Sequence, residues 1–285
     1  MELRGSNALL TGAAGGLAAY IARALASEGV NLVLSDLPGA DLDPLAGELS
    51  GKGIRVEKVP ADLADAEQLR GLLDEAEEAL GPIDILVNNA GVEFAAPFAE
   101  ATAEQIELTV AVNVRALMEL TRQAVPRMTE RGRGHVVNIA SMAGKVGAPY
   151  LAVYSGSKHA VVGFTQSLRT ELGSEPVGFS VICPTFISRA GMYARVEEEI
   201  PDAPRDVKPM PPEAVGDAVV KAIRENRPEV RVANGPARLL IFLYALAPGL
   251  AARLVRRRAP VIDHARHLAE AEVRQREDER SKTRA

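Results

Sequence analysis

The sequence predicts a doubly wound α/β domain, an open and mainly parallel sheet of seven strands with helices on both faces. Short apolar runs alternate with longer amphipathic ones along the chain. The short runs are apolar on both faces, as strands covered on both sides must be. Polar and glycine-rich residues gather just past the ends of those runs, the edge of such a sheet where ligands bind.

The strand-like runs, in order, are NALLTG (7–12), NLVLSD (31–36), RVEKVPAD (55–62), DILVNNAG (84–91), GHVVNIAS (134–141), FSVICP (179–184) and EVRVAN (229–234). Helix-like segments fall between them near 16–28, 41–51, 65–80, 102–131, 153–173 and 212–226. Right-handed crossovers are expected. Thr11–Gly12, Asp36, Asp62, Asn88–Gly91, Ser141 and Pro184 then all stand at or just past a strand end. Two segments break the rhythm. Residues 185–211 form a long Pro-punctuated connection of the kind that serves as a substrate lid. From residue 236 the chain turns apolar and basic, then highly charged. A core domain over 1–235 and a C-terminal helical extension over 236–285 are therefore expected.

Bulk properties narrow the function. At 285 residues and 47% hydrophobic, one domain with a large core suffices. The net charge of −5 argues against nucleic-acid binding as the main role. The single cysteine, Cys183, excludes an internal disulfide and fits a reducing cytoplasm, the expected location. No run reaches the roughly 18 apolar residues of a membrane span.

The turn TGAAGGLA (Thr11–Ala18) joins the first strand to the first helix. Gly12, Gly15 and Gly16 let the backbone turn tightly and approach a pyrophosphate, which the helix N-terminus attracts. Asp36 ends the second strand, 24 residues after Gly12. An acid there accepts ribose hydroxyls and repels the 2′-phosphate of NADP. No Arg stands in the glycine turn or in SDLPGAD around Asp36, so NAD is expected over NADP. A turn residue before Leu37–Pro38 is the plainer reading of Asp36.

YSGSK places Tyr154 and Lys158 four residues apart at the head of a helical run. Such residues share a helix face, about 5–6 Å apart at Cβ. A cation that close is expected to draw the phenol pKa down from ~10, suiting a proton donor and acceptor near neutral pH.

With TGAAGG, NNAG (Asn88–Gly91), Asn113 in TVAVNVRAL and Ser141 thirteen residues ahead of Tyr154, the chain resembles the short-chain dehydrogenase/reductase family over roughly residues 3–235. The resemblance implies a single Rossmann-type domain and an NAD(P)-dependent oxidoreductase. It implies Tyr154 as acid/base, Lys158 beside it holding the nicotinamide ribose, Ser141 on the substrate oxygen, and Asn113 in a proton relay. It assigns the cofactor to Thr11, Gly12, Gly15, Gly16, Leu17, Asp36, Asp62, Leu63, Asn89, Ala90, Gly91, Tyr154, Lys158, Pro184 and Ile187. Asn88 would shape the cofactor edge and Val114 would approach the nicotinamide. Three departures stand out: Ala18 for a third glycine, Thr185 after Pro184 where glycine is usual, and Arg189, after Ser188, where a Thr often binds the carboxamide. A differently shaped nicotinamide end is expected.

The lid residues Phe186, Met192, Tyr193 and Met210, with the apolar tail, point to a hydrophobic secondary alcohol or ketone as substrate. An NADPH-dependent carbonyl reductase and a non-catalytic NAD-binding sensor or scaffold are the alternatives. The resemblance implies a homodimer or homotetramer through the helices near 102–131 and 153–173. His135 and His159 lack metal-ligand spacing and read as packing or surface residues, and Cys183 as a buried strand residue. Between Arg238 and Arg253 lie 14 uncharged residues, followed by Arg256–Arg258. Segment 237–258 is expected either to pack on protein or to touch a membrane peripherally.

Overall fold

Described residues in the computed structural model are 1–190, 209–256, 266, 269 and 270. They contain the strands β1 (Asn7–Thr11), β2 (Asn31–Ser35), β3 (Val56–Lys58), β4 (Ile85–Asn88), β5 (Gly134–Ile139), β6 (Val177–Pro184) and β7 (Glu229–Val232). All pair in parallel, in the order β3-β2-β1-β4-β5-β6-β7. The chain winds outward from β1 in one direction and from β4 in the other. The β1–β4 boundary is thus the switch point at which such sheets open a crevice.

Helices α1 (Gly16–Ser27), α2 (Asp43–Ser50), α3 (Ala66–Leu80), α4 (Ala103–Val110), α5 (Leu117–Glu130), α6 (Ala152–Glu171) and α7 (Glu213–Arg224) connect the strands. Alternation along each strand divides the core between the two faces. Leu10, Leu32, Leu34, Val87 and Val137 pack with Ile21, Leu25, Val219 and Ile223 of α1 and α7. Leu9, Val33, Leu86 and Val136 pack with Leu72, Leu73 and Leu120 of α3 and α5. Val161 and Val162 of α6 cover Val181 and Cys183. Strands buried on both faces explain the unbroken apolar runs in the sequence.

Two elements differ from the sequence expectation. The edge strand predicted over 55–62 ends at Lys58. Pro60 has no N–H for a ladder, and the next backbone bond, Ala61 N to the Asp36 oxygen, already belongs to the connection. The helix expected over 102–131 is interrupted by a π turn over Ala111–Ala116, between α4 and α5.

Past β7, α8 (Gly235–Leu246) and α9 (Pro248–Arg256) form the C-terminal extension. Among the described residues no helix is long and apolar enough to cross a membrane.

Candidate active site

The ends of β1 and β4 are tied together by short side chains. The Thr11 hydroxyl accepts the N–H groups of Asn89 (3.1 Å) and Ala90 (3.2 Å) and donates to the Val87 oxygen (3.4 Å). Asn89 Nδ2 donates to the Thr11 and Gly12 carbonyls at 3.0 and 3.1 Å. Gly12 has φ 67°, and a Cβ there would stand 2.7 Å from Ala90 Cα. Backbone conformation and close approach both require glycine.

Beyond Gly12 the turn opens outward. Ala14, Gly15 and Gly16 are exposed, and no side chain caps α1 at Gly15. Uncapped N–H groups at the positive end of a twelve-residue helix suit a pyrophosphate, so the residues present fit a dinucleotide. Ala18 is fully buried, small enough to let α1 pack on the sheet. Leu17 is half-buried at the same turn.

Asp36 does more than was expected of it. Its Oδ2 accepts from Ala14 N at 2.9 Å and its Oδ1 from Leu37 N at 2.7 Å. It fastens the glycine turn to the end of β2 and serves its own turn as well. Each carboxylate oxygen has a second lone pair for a ribose hydroxyl. Asp62 is engaged similarly: Oδ1 accepts Ala64 N at 2.8 Å, and its N–H donates to Gln68 Oε1 at 2.9 Å. Leu63 sends its side chain into the core beneath α3, leaving backbone for any ligand. Asn88 is a correction. It is buried and donates to Asn138 Oδ1 (2.8 Å) and Thr121 Oγ1 (3.3 Å), bracing β4 against β5 and α5 instead of edging a cofactor.

At the next strand end, Ser141 caps the 3-10 turn Met142–Gly144, its Oγ accepting Ala143 N at 3.1 Å. That turn packs hard on α6, since a Cβ on Gly144 would meet the Lys158 carbonyl oxygen at 2.5 Å. Tyr154 lies in the first turn of α6 and Lys158 one turn on, both buried. Lys158 Nζ stands 5.6 Å from the centre of the Tyr154 ring and donates to the Ile139 oxygen at 3.0 Å. Asn113 sits in the π turn. Its Oδ1 accepts Val92 N (2.8 Å), and its Nδ2 donates to Val92 O (2.9 Å) and Ser157 Oγ (3.0 Å). Ser157 in turn donates to the Tyr154 carbonyl at 2.7 Å. Helix widenings of this kind recur at functional sites. Gly91 completes the corner, where a Cβ would lie 3.3 Å from both Lys158 Nζ and Asn113 Oδ1. The four side chains predicted from sequence thus meet within one corner.

The electrostatics correct one expectation. Burial pushes the Tyr154 phenol well above its ordinary value, Glu93 pushes it further, and a hydrogen bond with Ser141 works the other way. Burial draws Lys158 down to about 8, with Glu93 and Cys183 opposing. Proximity was expected to make the phenol more acidic. In this buried corner the phenol's own desolvation instead raises it, and the opposing effect comes from Ser141. Glu93, two residues past Gly91, was missed in the sequence. Its place just beyond a strand end was the available signal.

The sequence profile of the family described as short chain dehydrogenase matches residues 6–201. The chain belongs to that family. Ketoacyl reductase HetN of Nostoc sp. (strain PCC 7120) is 40% identical over 234 residues, covering 82% of this chain and 80% of its own. A short chain dehydrogenase/reductase from Burkholderia phymatum in complex with NAD superposes with TM-score 0.77 at 29% identity, covering 88% of this chain and 96% of its own. Actinorhodin polyketide ketoreductase with NADPH gives TM-score 0.73 at 30% identity, covering 81% and 96%. This short-chain dehydrogenase is an NAD(P)-dependent oxidoreductase acting on CH–OH or C=O groups.

The departures at the nicotinamide end take a definite form in this short-chain dehydrogenase. Pro184 ends β6, and Thr185 donates its N–H to Val232 O at 3.0 Å in ordinary backbone. Among the described residues of the loop, the left-handed one is instead Arg189, at φ 58°. Ile187 is buried in the α1-side core and bridges to Met210, and Ser188 N donates to Met210 O at 3.1 Å. Val114 is half-buried and Phe186 is exposed. Met192 and Tyr193, the other predicted lid residues, lie outside the described residues.

The remaining titratable residues serve the fold. Ser180 gives its one hydroxyl proton to Arg227 O at 2.5 Å, so His135 Nε2–H donates to Ser180 at 2.8 Å. Burial holds His135 down at about 3. His159 is exposed and donates through Nδ1 to the Ser155 oxygen. Burial raises the Cys183 thiol to about 12, which suits a packed strand residue and not a nucleophile. Among the described residues, no cluster of three or more ligand side chains could hold a metal.

Proposed function

We propose that the enzyme interconverts a hydrophobic secondary alcohol and its ketone, with NAD as hydride carrier. One observation carries this reading. Tyr154, Lys158, Ser141 and Asn113 converge at the sheet edge where the uncapped glycine turn lies. When bound, the dinucleotide accepts or returns the hydride, and the protein positions it. Tyr154 exchanges the proton of the reacting oxygen, which Ser141 orients. Lys158 supplies the positive charge beside the ring. Asn113 pins the Gly91–Val92 backbone and holds the relay toward solvent. Thr11, Gly12, Gly15, Gly16 and Leu17 receive the phosphates, Asp36 the adenosine ribose, Asp62 and Leu63 the adenine side, and Asn89–Gly91 with Pro184 and Ile187 the remaining edge.

A second reading, reduction of a ketone with NADPH, draws on two observations. The phenol is held protonated, as a donor to a carbonyl must be. The similar proteins include a ketoacyl reductase and a ketoreductase with NADPH. Asp36 opposes it through repulsion of a 2′-phosphate.

Exposed Leu108 and Val110 support self-association through the 103–130 helices. A screen of NAD reduction over lipophilic secondary alcohols of graded size tests the first reading. Turnover rising with apolar size supports it, and preference for small sugars or polyols contradicts it. The same screen run as ketone reduction with NADPH separates the second.

A further inference from the structure

The C-terminal extension carries two unlike faces. Ile241 and Ala251 are buried. Leu239, Phe242, Leu246, Leu250 and Leu254 are 41–68% exposed. Their spacing of three and four residues keeps them along one side of a helical path. Ala247 N still bonds Leu243 O (2.8 Å) and Ala251 N bonds Ala247 O (3.0 Å), so the path runs nearly unbroken past Pro248. Large apolar side chains gathered in this way mark an interaction surface.

Charge identifies the partner. From Gly235 to Ile262 the sequence has no acidic residue and five arginines, Arg238, Arg253, Arg256, Arg257 and Arg258, in a chain whose net charge is −5. Arg253 is exposed beside Leu254. In a two-fold contact each copy would set this arginine cluster against its own like. An anionic lipid surface answers both the apolar row and the arginines. Among the described residues no helix is long and apolar enough to cross a membrane, so contact along the surface is the mode these helices allow.

We infer that the exposed face of α8 and α9 is an interfacial anchor, seating the enzyme flat on an anionic membrane surface. The experiment is sedimentation of the full chain with vesicles of phosphatidylcholine alone or mixed with phosphatidylglycerol, in low and molar salt. Partition onto the mixed vesicles is expected to exceed that onto phosphatidylcholine roughly tenfold or more, and to fall with salt. The double variant F242D/L246D, altered only at exposed positions, is expected to lose that partition while keeping wild-type melting temperature and turnover. A second variant replacing Arg253, Arg256, Arg257 and Arg258 with Gln keeps the apolar row and is expected to lose the lipid preference. Absence of wild-type partition, or partition by F242D/L246D equal to wild type, overturns the inference. So does a wild-type dimer that F242D/L246D dissociates without any vesicle binding.

Discussion

Asn113 grips Val92 by both of its backbone groups, accepting its N–H at 2.8 Å and donating to its carbonyl at 2.9 Å. One buried amide thereby fixes the loop after β4 to the helix pair α4–α5, and through Ser157 to the catalytic helix α6. Asn113→Ala leaves Val92 and Ser157 without those partners. A cost of about 2–4 kcal/mol in unfolding free energy is expected from three lost bonds, the one to Ser157 buried and the two to Val92 half-buried. Turnover is expected to fall at least about tenfold as the loop loosens, since small misplacements at a reacting centre cost this much or more. Denaturant melts and steady-state kinetics on the same preparation check both.

Asp36 joins the cofactor question to the fold. Asp36→Ala removes the anion that repels a 2′-phosphate, and it also frees Ala14 N. The NADP-over-NAD ratio of dissociation constants is expected to shrink, with NAD affinity itself weakened by the looser turn. Titration of both dinucleotides against thermal shift reads the two effects separately. An unchanged ratio would remove Asp36 from cofactor choice.

Glu93 raises both Tyr154 and Lys158. In Glu93→Gln the phenolate loses a neighbouring negative charge, so the phenol becomes more acidic. The rise of alcohol oxidation toward alkaline pH is expected to begin at lower pH in the variant, and Lys158 to lose its proton earlier. A pH profile of kcat/KM for wild type and variant tests the sign. A shift toward higher pH would contradict the placement of Glu93.

His135 predicts an acid limb in stability. Its pKa is about 3 in the fold against the ordinary 6.5, so below pH 6.5 the unfolded chain takes up a proton that the folded chain refuses. The stability present above pH 6.5 is lost as pH falls toward 3, with a slope of up to about 1.4 kcal/mol per pH unit. His135→Leu is expected to be less stable at pH 7, having removed the buried donor to Ser180 Oγ, yet flatter between pH 6.5 and 4. Denaturation midpoints across that range check it.

Much of this was legible in the sequence because it depends on local spacing. Strands apolar on both faces gave the parallel sheet, and Tyr154 and Lys158, four apart, had to share a helix face. What escaped depends on burial and on distant partners. No local pattern tells that Asn88 turns inward to Asn138, that Asp36 reaches back to Ala14, or that the helix widens at Asn113. The Tyr154 shift has the opposite sign from the one its spacing predicts for the same reason. A sequence shows the neighbouring charge but not how completely the pair is desolvated. For the C-terminal extension the sequence allows two roles, and it does not show that Leu239, Phe242 and Leu246 are exposed while Ile241 is buried.

The central claim is that Tyr154 moves the proton while the rest of the corner holds the dinucleotide. Tyr154→Phe tests it most directly, with turnover and dinucleotide affinity measured on one preparation. The ring's packing is preserved and only the hydroxyl is lost. Turnover is expected to drop by about 10²–10⁴-fold or beyond detection, with the dissociation constant for NAD within about threefold, a change of about 0.65 kcal/mol at most. Turnover within tenfold of wild type in Tyr154→Phe would contradict the account.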